Sequence, residues 1–129
     1  YHSVCTTSTH DMTPLRNWWK EDPEKTQRYY NHVLQRIGEA PDECTAEIVA
    51  QIISNHLKTR SMLTIIPLQD WFAMDDSIKR KDIESERINV PANSTHYWRY
   101  RMHITLEQLL QADNLNNKIV SLIKEAGRK

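Results

Sequence analysis

The sequence is poor in glycine and cysteine and contains no long apolar run. Only two of its 129 residues are glycine and two are cysteine. Cys5 and Cys44 show no C-x-x-C spacing, which argues against a disulfide framework or a zinc knuckle and favours reduced, buried thiols. No stretch approaches the roughly 18 apolar residues that cross a bilayer, and the N-terminal segment lacks the order of a signal peptide. We therefore expect a cytoplasmic protein.

An excess of charge of either sign is also missing. The 17 Lys and Arg residues balance the 17 Asp and Glu residues, so no basic field favours nucleic acid or an anionic membrane as a partner. A neutral partner such as a sugar is compatible with this balance. The six histidines form no i, i+4 pair and no His-x-His, and we expect no metal site.

The apolar pattern predicts two short strands separated by helices. Residues 3–7 are β-prone, and residues 62–67 are apolar, β-branched and typical of a buried strand. Between them, Thr13-Pro14 and Asp22-Pro23 predict two helix starts, each with an N-cap residue followed by Pro at the first helical position, the second helix ending at Gly38. A third, amphipathic helix carries apolar residues from Ala46 to Leu57. A strand, a set of helices and a second strand in this order predict a crossover connection of the kind found in barrels.

The second half of the chain is predicted to be less regular. Residues 74–86 are charged, with little apolar periodicity, and indicate a solvated helix or loop, and residues 89–103 indicate a loop that closes onto another part of the molecule. Thr105 and Gln108 have the spacing of a capping box. Asp113 is predicted to cap a terminal helix that ends before Gly127.

A His-Asp pair follows the first strand in the segment Thr6-Thr7-Ser8-Thr9-His10-Asp11-Met12. The C-terminal ends of strands are where (β/α)8 barrel enzymes carry their catalytic groups. An ionised carboxylate accepts hydroxyl protons bidentately, and a neutral imidazole donates one more hydrogen bond, so the pair suits a sugar. The alternative is that Asp11 only caps the helix beginning near Thr13.

Three motifs in this order, the third followed by an aromatic element, resemble glycoside hydrolase family 77, the 4-α-glucanotransferases. Residues 6–12 are similar to the family's Thr-Gly-Thr-His-Asp-Asn, and residues 63–70 to its strand-eight segment that ends Pro-hydrophobic-Gln-Asp. Residues 86–91, Glu-Arg-Ile-Asn-Val-Pro, are similar to its Ala-Arg-Met-Asn-x-Pro-Gly, and residues 98–101 to its Trp-x-Trp-Arg. Ser8, Met12 and Arg101 look closest to the larger subgroup of plant cytosolic and bacterial disproportionating enzymes.

The resemblance implies a fold and a set of site residues. The fold would be α/β and helix-rich, with residues 1–129 forming the C-terminal part of a catalytic (β/α)8 barrel, strands 7 and 8 with their helices, and no separate second domain. Asp11 would stabilise the oxocarbenium-like transition state, and His10 would bind the same sugar. Asn89 would reach a sugar hydroxyl and Trp98 would stack on a pyranose ring. No cofactor is implied.

The resemblance also implies what this chain lacks. Retaining glycosidic chemistry needs a nucleophile and an acid/base carboxylate about 5 to 5.5 Å apart, and in the family both precede the His-Asp motif. They would lie upstream of Tyr1, so we expect this chain alone to be inactive. Arg80-Lys81-Asp82 imitates the Arg-x-Asp nucleophile pattern but follows the motif, and we attribute it to chance. Expected partners are α-glucans, the missing N-terminal part of the same barrel and, for the isolated chain, a second copy.

Several further side chains have two interpretations each. Gln69 and Asp70 either fix neighbouring loops or cap the next helix. Arg87 is expected to pin its loop through a carboxylate. For Tyr97, Trp98 and Tyr100, residue type alone favours a core role over sugar stacking, and helix packing is the default for Trp18 and Trp19.

Two other functions compete with the transferase. One is a helical protein-interaction module without catalytic activity, in which His10-Asp11 is a capping turn. It should be monomeric and unfold cooperatively, whereas a barrel fragment should expose apolar faces and self-associate. The other is a non-catalytic glucan-binding domain, which should bind maltooligosaccharides without the upstream carboxylates.

Overall fold

The chain folds as two parallel strands followed and connected by helices, in a computed structural model that describes residues 2–128. Tyr1 and Lys129 lie outside the described residues. The elements in chain order are β1 Val4–Thr6, α1 Leu15–Glu21, α2 Pro23–His32, α3 Ala46–Leu57, β2 Leu63–Ile65, α4 Leu68–Phe72, a 3-10 turn Glu84–Glu86, α5 Leu106–Leu110 and α6 Asp113–Glu125. The predicted mixed α/β, helix-rich class is confirmed.

The sheet is a parallel pair in which Val4 pairs with Leu63 and Thr6 with Ile65. A parallel pair needs a long crossover, which α1, α2 and α3 supply. The helices cover one face, where the Thr64 hydroxyl donates to the carbonyl of His56 on α3 at 3.4 Å. On the other face Val4, Leu63 and Ile65 are 56%, 49% and 57% exposed. The second strand is therefore not buried as predicted.

Helix α3 forms the centre of the core. The Thr45 hydroxyl accepts from the Ile48 N–H at the helix start, and the apolar residues that follow recur at three- and four-residue spacing, which produces one buried face. The buried side chains of this core include Trp19, Ile48, Val49, Ile52, Ile53, Phe72 and Leu115. The position and amphipathic character of α3 are as predicted.

Helix α2 ends at His32, and the predicted extension to Gly38 is wrong. The chain leaves helical geometry at Gln35, which has a φ of 55°, and the Asn31 amide donates to the Arg36 carbonyl at 2.8 Å. Ile37 consequently points outward and is 98% exposed. A polar side chain that satisfies the backbone beyond His32 ends the helix, and apolar spacing does not reveal such a bond.

Apart from the end of α2, the helix ends that the sequence predicted lie within one residue of the expected positions. The capping box at Thr105 and Gln108 is present. Gly127, with a φ of 68°, ends α6, and the Arg128 N–H bonds to the Ile123 carbonyl at 3.1 Å, as in a Schellman motif. The N-cap residues of α1 and α6 are Pro14 and Ala112, so the predicted caps at Thr13 and Asp113 are wrong. None of the helices within residues 2–128 has the length and apolarity of a membrane span.

Candidate active site

The loop after β1 presents His10 and Asp11 to solvent. Their side chains are 52% and 53% exposed, with 3.3 Å between His10 Nε2 and Asp11 Oδ2. Two local bonds shape the loop, from the Thr6 hydroxyl to the Ser8 carbonyl at 2.6 Å and from the Met12 N–H to the Thr9 carbonyl at 3.1 Å. Asp11 does not cap α1, so the alternative interpretation of Asp11 as a helix cap is wrong.

Asn89 and Trp98 come from a distant part of the chain and contact this pair. The Asn89 amide donates to Asp11 Oδ1 at 2.7 Å, while Asn89 Oδ1 accepts from the Val90 N–H at 2.9 Å. The Trp98 ring lies 5.0 Å from the His10 ring, centroid to centroid, tilted by 45°. His10, Asp11, Asn89 and Trp98, named as site residues from the sequence, thus form one group, called here the Asp11 cluster.

A cavity of about 350 Å³ opens beside the Asp11 cluster. Its walls include His10 and Met12 from the loop after β1, Ile65 at the end of β2, and Glu86 and Ile88 from the segment that precedes Asn89. Val4, the first residue of β1, also lines it, so the cavity extends from the exposed sheet face to the C-terminal ends of both strands, where a (β/α)8 barrel carries its site. An apolar wall with a few convergent polar groups is typical of a small-molecule site.

Asp70 holds the loop that carries His10 and Asp11. This carboxylate is 1% exposed; its Oδ2 accepts from the Thr7 hydroxyl at 2.6 Å and the Ser8 hydroxyl at 3.4 Å, and its Oδ1 accepts from the Leu15 N–H at 2.9 Å. Burial raises the pKa of Asp70, and these hydrogen bonds oppose the rise. Asp70 thus supplies the cap of α1 that Thr13 was predicted to supply.

The neighbouring Gln69 holds the other loop. Its amide donates to the Glu86 carbonyl at 3.1 Å. Because Gln69 and Asp70 lie inside α4 and bond to residues outside it, the predicted role of fixing neighbouring loops is confirmed, and the alternative of capping α4 is wrong.

Glu86 is a functional candidate that the sequence pattern missed. It lies in a segment predicted to be solvated, yet it is 2% exposed. Its Oε2 lies 3.5 Å from Arg16 Nη1. Burial raises the pKa of Glu86 to about 7, although the Arg16 cation opposes the rise. The sequence signal that could have indicated a buried carboxylate is Arg16, a cation on the same helix as Trp19, which would need a partner of opposite charge.

The structure separates the exposed aromatic side chains from the packed ones. Tyr97 and Trp98 are 68% and 61% exposed, so the core role favoured by residue type is wrong for both. Tyr100 is half-buried, with the Arg80 guanidinium 5.6 Å from its ring centroid. Trp19 is buried and donates its indole N–H to the Pro41 carbonyl at 2.8 Å, which confirms its packing role.

Arg80 and Arg87 differ in whether their guanidinium groups have hydrogen-bond partners. Arg80 donates to the Ser85 and Arg101 carbonyls at 3.0 and 2.6 Å, a structural role consistent with attributing its motif to chance. The Nε of Arg87 is buried without a hydrogen-bond partner in the described part of the chain. Among residues 2–128 no carboxylate forms an ion pair with Arg87, so its expected partner stays a prediction.

The thiols and histidines were expected to form no metal site. Cys44 is buried, Cys5 is only half-buried, and both are free. Burial raises the pKa of Cys44 to about 12, so this thiol is protonated at neutral pH. Within residues 2–128, no group of three His, Cys, Asp or Glu side chains is arranged to hold a metal ion.

Comparison with known proteins decides the family. The model of glycoside hydrolase family 77, described as 4-alpha-glucanotransferase, matches residues 1–107. The chain belongs to glycoside hydrolase family 77. It is 39% identical over 128 residues to the 4-alpha-glucanotransferase DPE2 of Oryza sativa subsp. japonica, covering 99% of this chain and 14% of that protein. It is 31% identical over 123 residues to the 4-alpha-glucanotransferase of Chlamydia trachomatis, covering 93% of this chain and 22% of that protein.

This family 77 chain therefore spans less than a quarter of the length of these curated relatives. Among solved structures it is similar to the amylomaltase from Streptococcus agalactiae in complex with acarbose, with a TM-score of 0.70 and 18% sequence identity. That match covers 98% of this chain and 22% of the amylomaltase chain. The fold of this chain is thus that of one part of an amylomaltase.

Proposed function

We propose that this chain supplies one sugar-binding wall of the active site of a 4-α-glucanotransferase. The whole enzyme would transfer a segment of an α-1,4-glucan to the 4-hydroxyl of another glucan or of glucose, by a retaining double displacement, in maltooligosaccharide, starch or glycogen metabolism. The single observation that supports this best is the Asp11 cluster, whose members His10, Asp11, Asn89 and Trp98 meet beside a cavity at the ends of two parallel strands.

Asp11 is the centre of the proposed chemistry. Asn89 donates to one of its oxygens and His10 lies beside the other, which fixes the orientation of the carboxylate. A carboxylate has about four lone-pair positions, so positions stay available for the hydroxyls of a sugar bound next to the exposed Asp11. As the glycosidic bond breaks, positive charge develops on the sugar ring, and a fixed negative charge nearby stabilises that transition state.

Trp98 and His10 would complete the sugar contacts. The exposed indole presents an apolar ring surface next to the imidazole, and pyranose rings carry apolar C–H patches that pack on such a surface. The amylomaltase from Streptococcus agalactiae forms a complex with acarbose, which supports α-glucans as the ligands of this site. No cofactor takes part in the proposed reaction.

The sheet supports the proposed place of this chain in a barrel. Parallel sheets in α/β proteins are covered on both faces, whereas β1 and β2 expose Val4, Leu63 and Ile65 on one face. Six further strands of a (β/α)8 barrel would cover that face with the barrel interior. Residues 1–129 would then form strands 7 and 8 with their helices, without a separate second domain, and the nucleophile and acid/base would come from other strands.

The proposal is tested by glucose release from maltotriose, comparing the chain alone with the full-length enzyme. Only the full-length form should release glucose, and the chain alone should self-associate through its exposed sheet face. Absence of activity in the full-length form, together with a monomeric chain that melts cooperatively, would support the helical interaction module instead. Maltooligosaccharide binding by the isolated chain would favour the glucan-binding domain. We place the active enzyme in the cytoplasm, which fractionation of the producing cells tests.

A further inference from the structure

Glu86 is a buried carboxyl group beside the proposed site that the proposed chemistry does not use. It ends the 3-10 turn Glu84–Glu86 and lines the same cavity as His10. The Ala-Arg-Met-Asn pattern that this segment resembles has Ala at this position, so the carboxyl group is a departure of this chain from that pattern. Burying a charged group costs free energy unless the group is paired. A buried carboxyl group at this position therefore points to a structural or functional role.

Two bonds tie Glu86 to the elements that carry the rest of the site. Its carboxylate pairs with Arg16 on α1 at 3.5 Å, and its carbonyl accepts from Gln69 on α4 at 3.1 Å. Arg16 also donates to the Arg80 carbonyl at 2.6 Å. Helix α1 is in turn held at its first N–H by Asp70, the residue that fixes the loop of His10 and Asp11.

We infer that Glu86 is a positioning residue for the proposed transfer reaction, and that its ion pair with Arg16 holds residues 86–89 so that the Asn89 amide meets Asp11. The inference rests on the proposed function. The pair joins α1, which directly follows the loop of Asp11, to the segment that ends at Asn89. A shift of about 1 Å in such a contact is enough to lower a rate about 100-fold.

Charged groups from every adjoining element face Glu86. Arg16 on α1 and Arg80 before the 3-10 turn lower its pKa, while Asp70 on α4 and Asp82 raise it, and burial is the largest influence. With a pKa of about 7, the carboxyl group is mostly ionised at pH 8 and mostly protonated at pH 6. Protonation removes the charge that pairs with Arg16, so the positioning should weaken as the pH falls through about 7.

The test is the pH profile of kcat in the full-length enzyme and in its E86Q variant. E86Q keeps the shape of the side chain and removes its charge. We expect kcat at pH 8 to fall by about tenfold or more, KM to change less than kcat, and a decline of the wild-type kcat near pH 7 to be absent from the variant. E84Q is the matched control, since Glu84 is in the same turn and also accepts a bond from α1, from Asn17 at 2.8 Å, but is exposed.

The outcomes separate the inference from the proposed function. A wild-type enzyme without transfer activity overturns the function itself. An active wild type whose kcat and pH profile are unchanged in E86Q overturns the role of Glu86 alone. If E86Q does not fold, E86D decides, because it keeps the charge on a shorter side chain: a lowered kcat that still declines near pH 7 supports the inference, and an unchanged kcat contradicts it.

Discussion

The Asn89 side-chain amide lies 2.7 Å from the Asp11 carboxylate, although 78 positions separate the two residues. The orientation of the amide is set by its own oxygen, which accepts from the Val90 N–H and so turns the NH2 group toward Asp11. Under the proposed function, a carboxylate held in this way meets the sugar from one fixed direction. Preorganised polar groups of this kind provide much of the electrostatic stabilisation in enzymes.

The first prediction concerns Asp11. In the full-length enzyme, D11N should lower kcat by about 100-fold or more, because it removes the charge that we propose to stabilise the transition state. The thermal midpoint should change little, since the Asp11 side chain is 53% exposed. Glucose release from maltotriose measures kcat, with D42N, at an exposed aspartate outside the Asp11 cluster, as the control. Near-normal turnover in D11N would remove Asp11 from the catalytic set.

The second prediction concerns the bond from Asn89. A hydrogen bond to a charged group contributes about 1.5 to 3 kcal/mol, so N89A should lower kcat/KM by about 10- to 100-fold. Because Asn89 acts on Asp11, the effects of N89A and D11N should not add. A double-mutant cycle on kcat/KM measures this coupling, and additive effects of the two substitutions would show that the bond plays no part in the reaction.

The third prediction concerns the Trp98 ring. W98A should raise KM for maltotriose by about 3- to 10-fold, as expected for the loss of one aromatic packing contact, with little change in stability because the residue is 61% exposed. W98F should restore much of the affinity. Y97A is the matched control, since Tyr97 is similarly exposed but its ring faces Arg99 at 4.9 Å. Equal KM values for W98A and Y97A would contradict a specific role for Trp98.

The fourth prediction concerns Asp70. Three groups donate hydrogen bonds to the Asp70 carboxylate, and D70N replaces one of its two acceptor oxygens with an NH2 donor. At least one of the three groups then loses its acceptor, so D70N should destabilise the protein by about 3 kcal/mol. The control is D22N, at the N-cap of α2, where the side chain is 46% exposed and Asn caps about as well as Asp. Urea unfolding of the full-length variants measures the difference. Equal stability of the two variants would mean that Asp70 does not hold the loop.

The fifth prediction follows from the raised pKa of Glu86, which is about 7 in the folded protein against an ordinary value of 4.5. Between these two pH values the folded form keeps a proton that the unfolded form has released, so stability decreases as the pH rises. The thermal midpoint of the wild type relative to E86Q should therefore fall from pH 4.5 to pH 7 and then level off. A difference that is constant over this interval would show that the carboxyl group is not perturbed.

The sequence by itself determined the features that depend on neighbours along the chain. Asp22 caps α2, the capping box starts α5 at Thr105, and Gly127 ends α6, because each depends on bonds within a few residues. The order of the motifs also indicated the family and named the members of the Asp11 cluster. The predicted extension of α2 to Gly38 was wrong because the Asn31 side chain bonds to the backbone beyond the helix, and apolar spacing does not show such a bond.

Only the tertiary structure decided which distant groups meet. The bond from Asn89 to Asp11, the cap that Asp70 gives to Leu15 and the burial of Glu86 against Arg16 all join segments far apart in the chain. Apolar periodicity tells which face of an element is buried, but it does not tell which polar group lies opposite. A lone buried carboxylate in a charged segment looks, in sequence, like its solvated neighbours, and only packing distinguishes it from them.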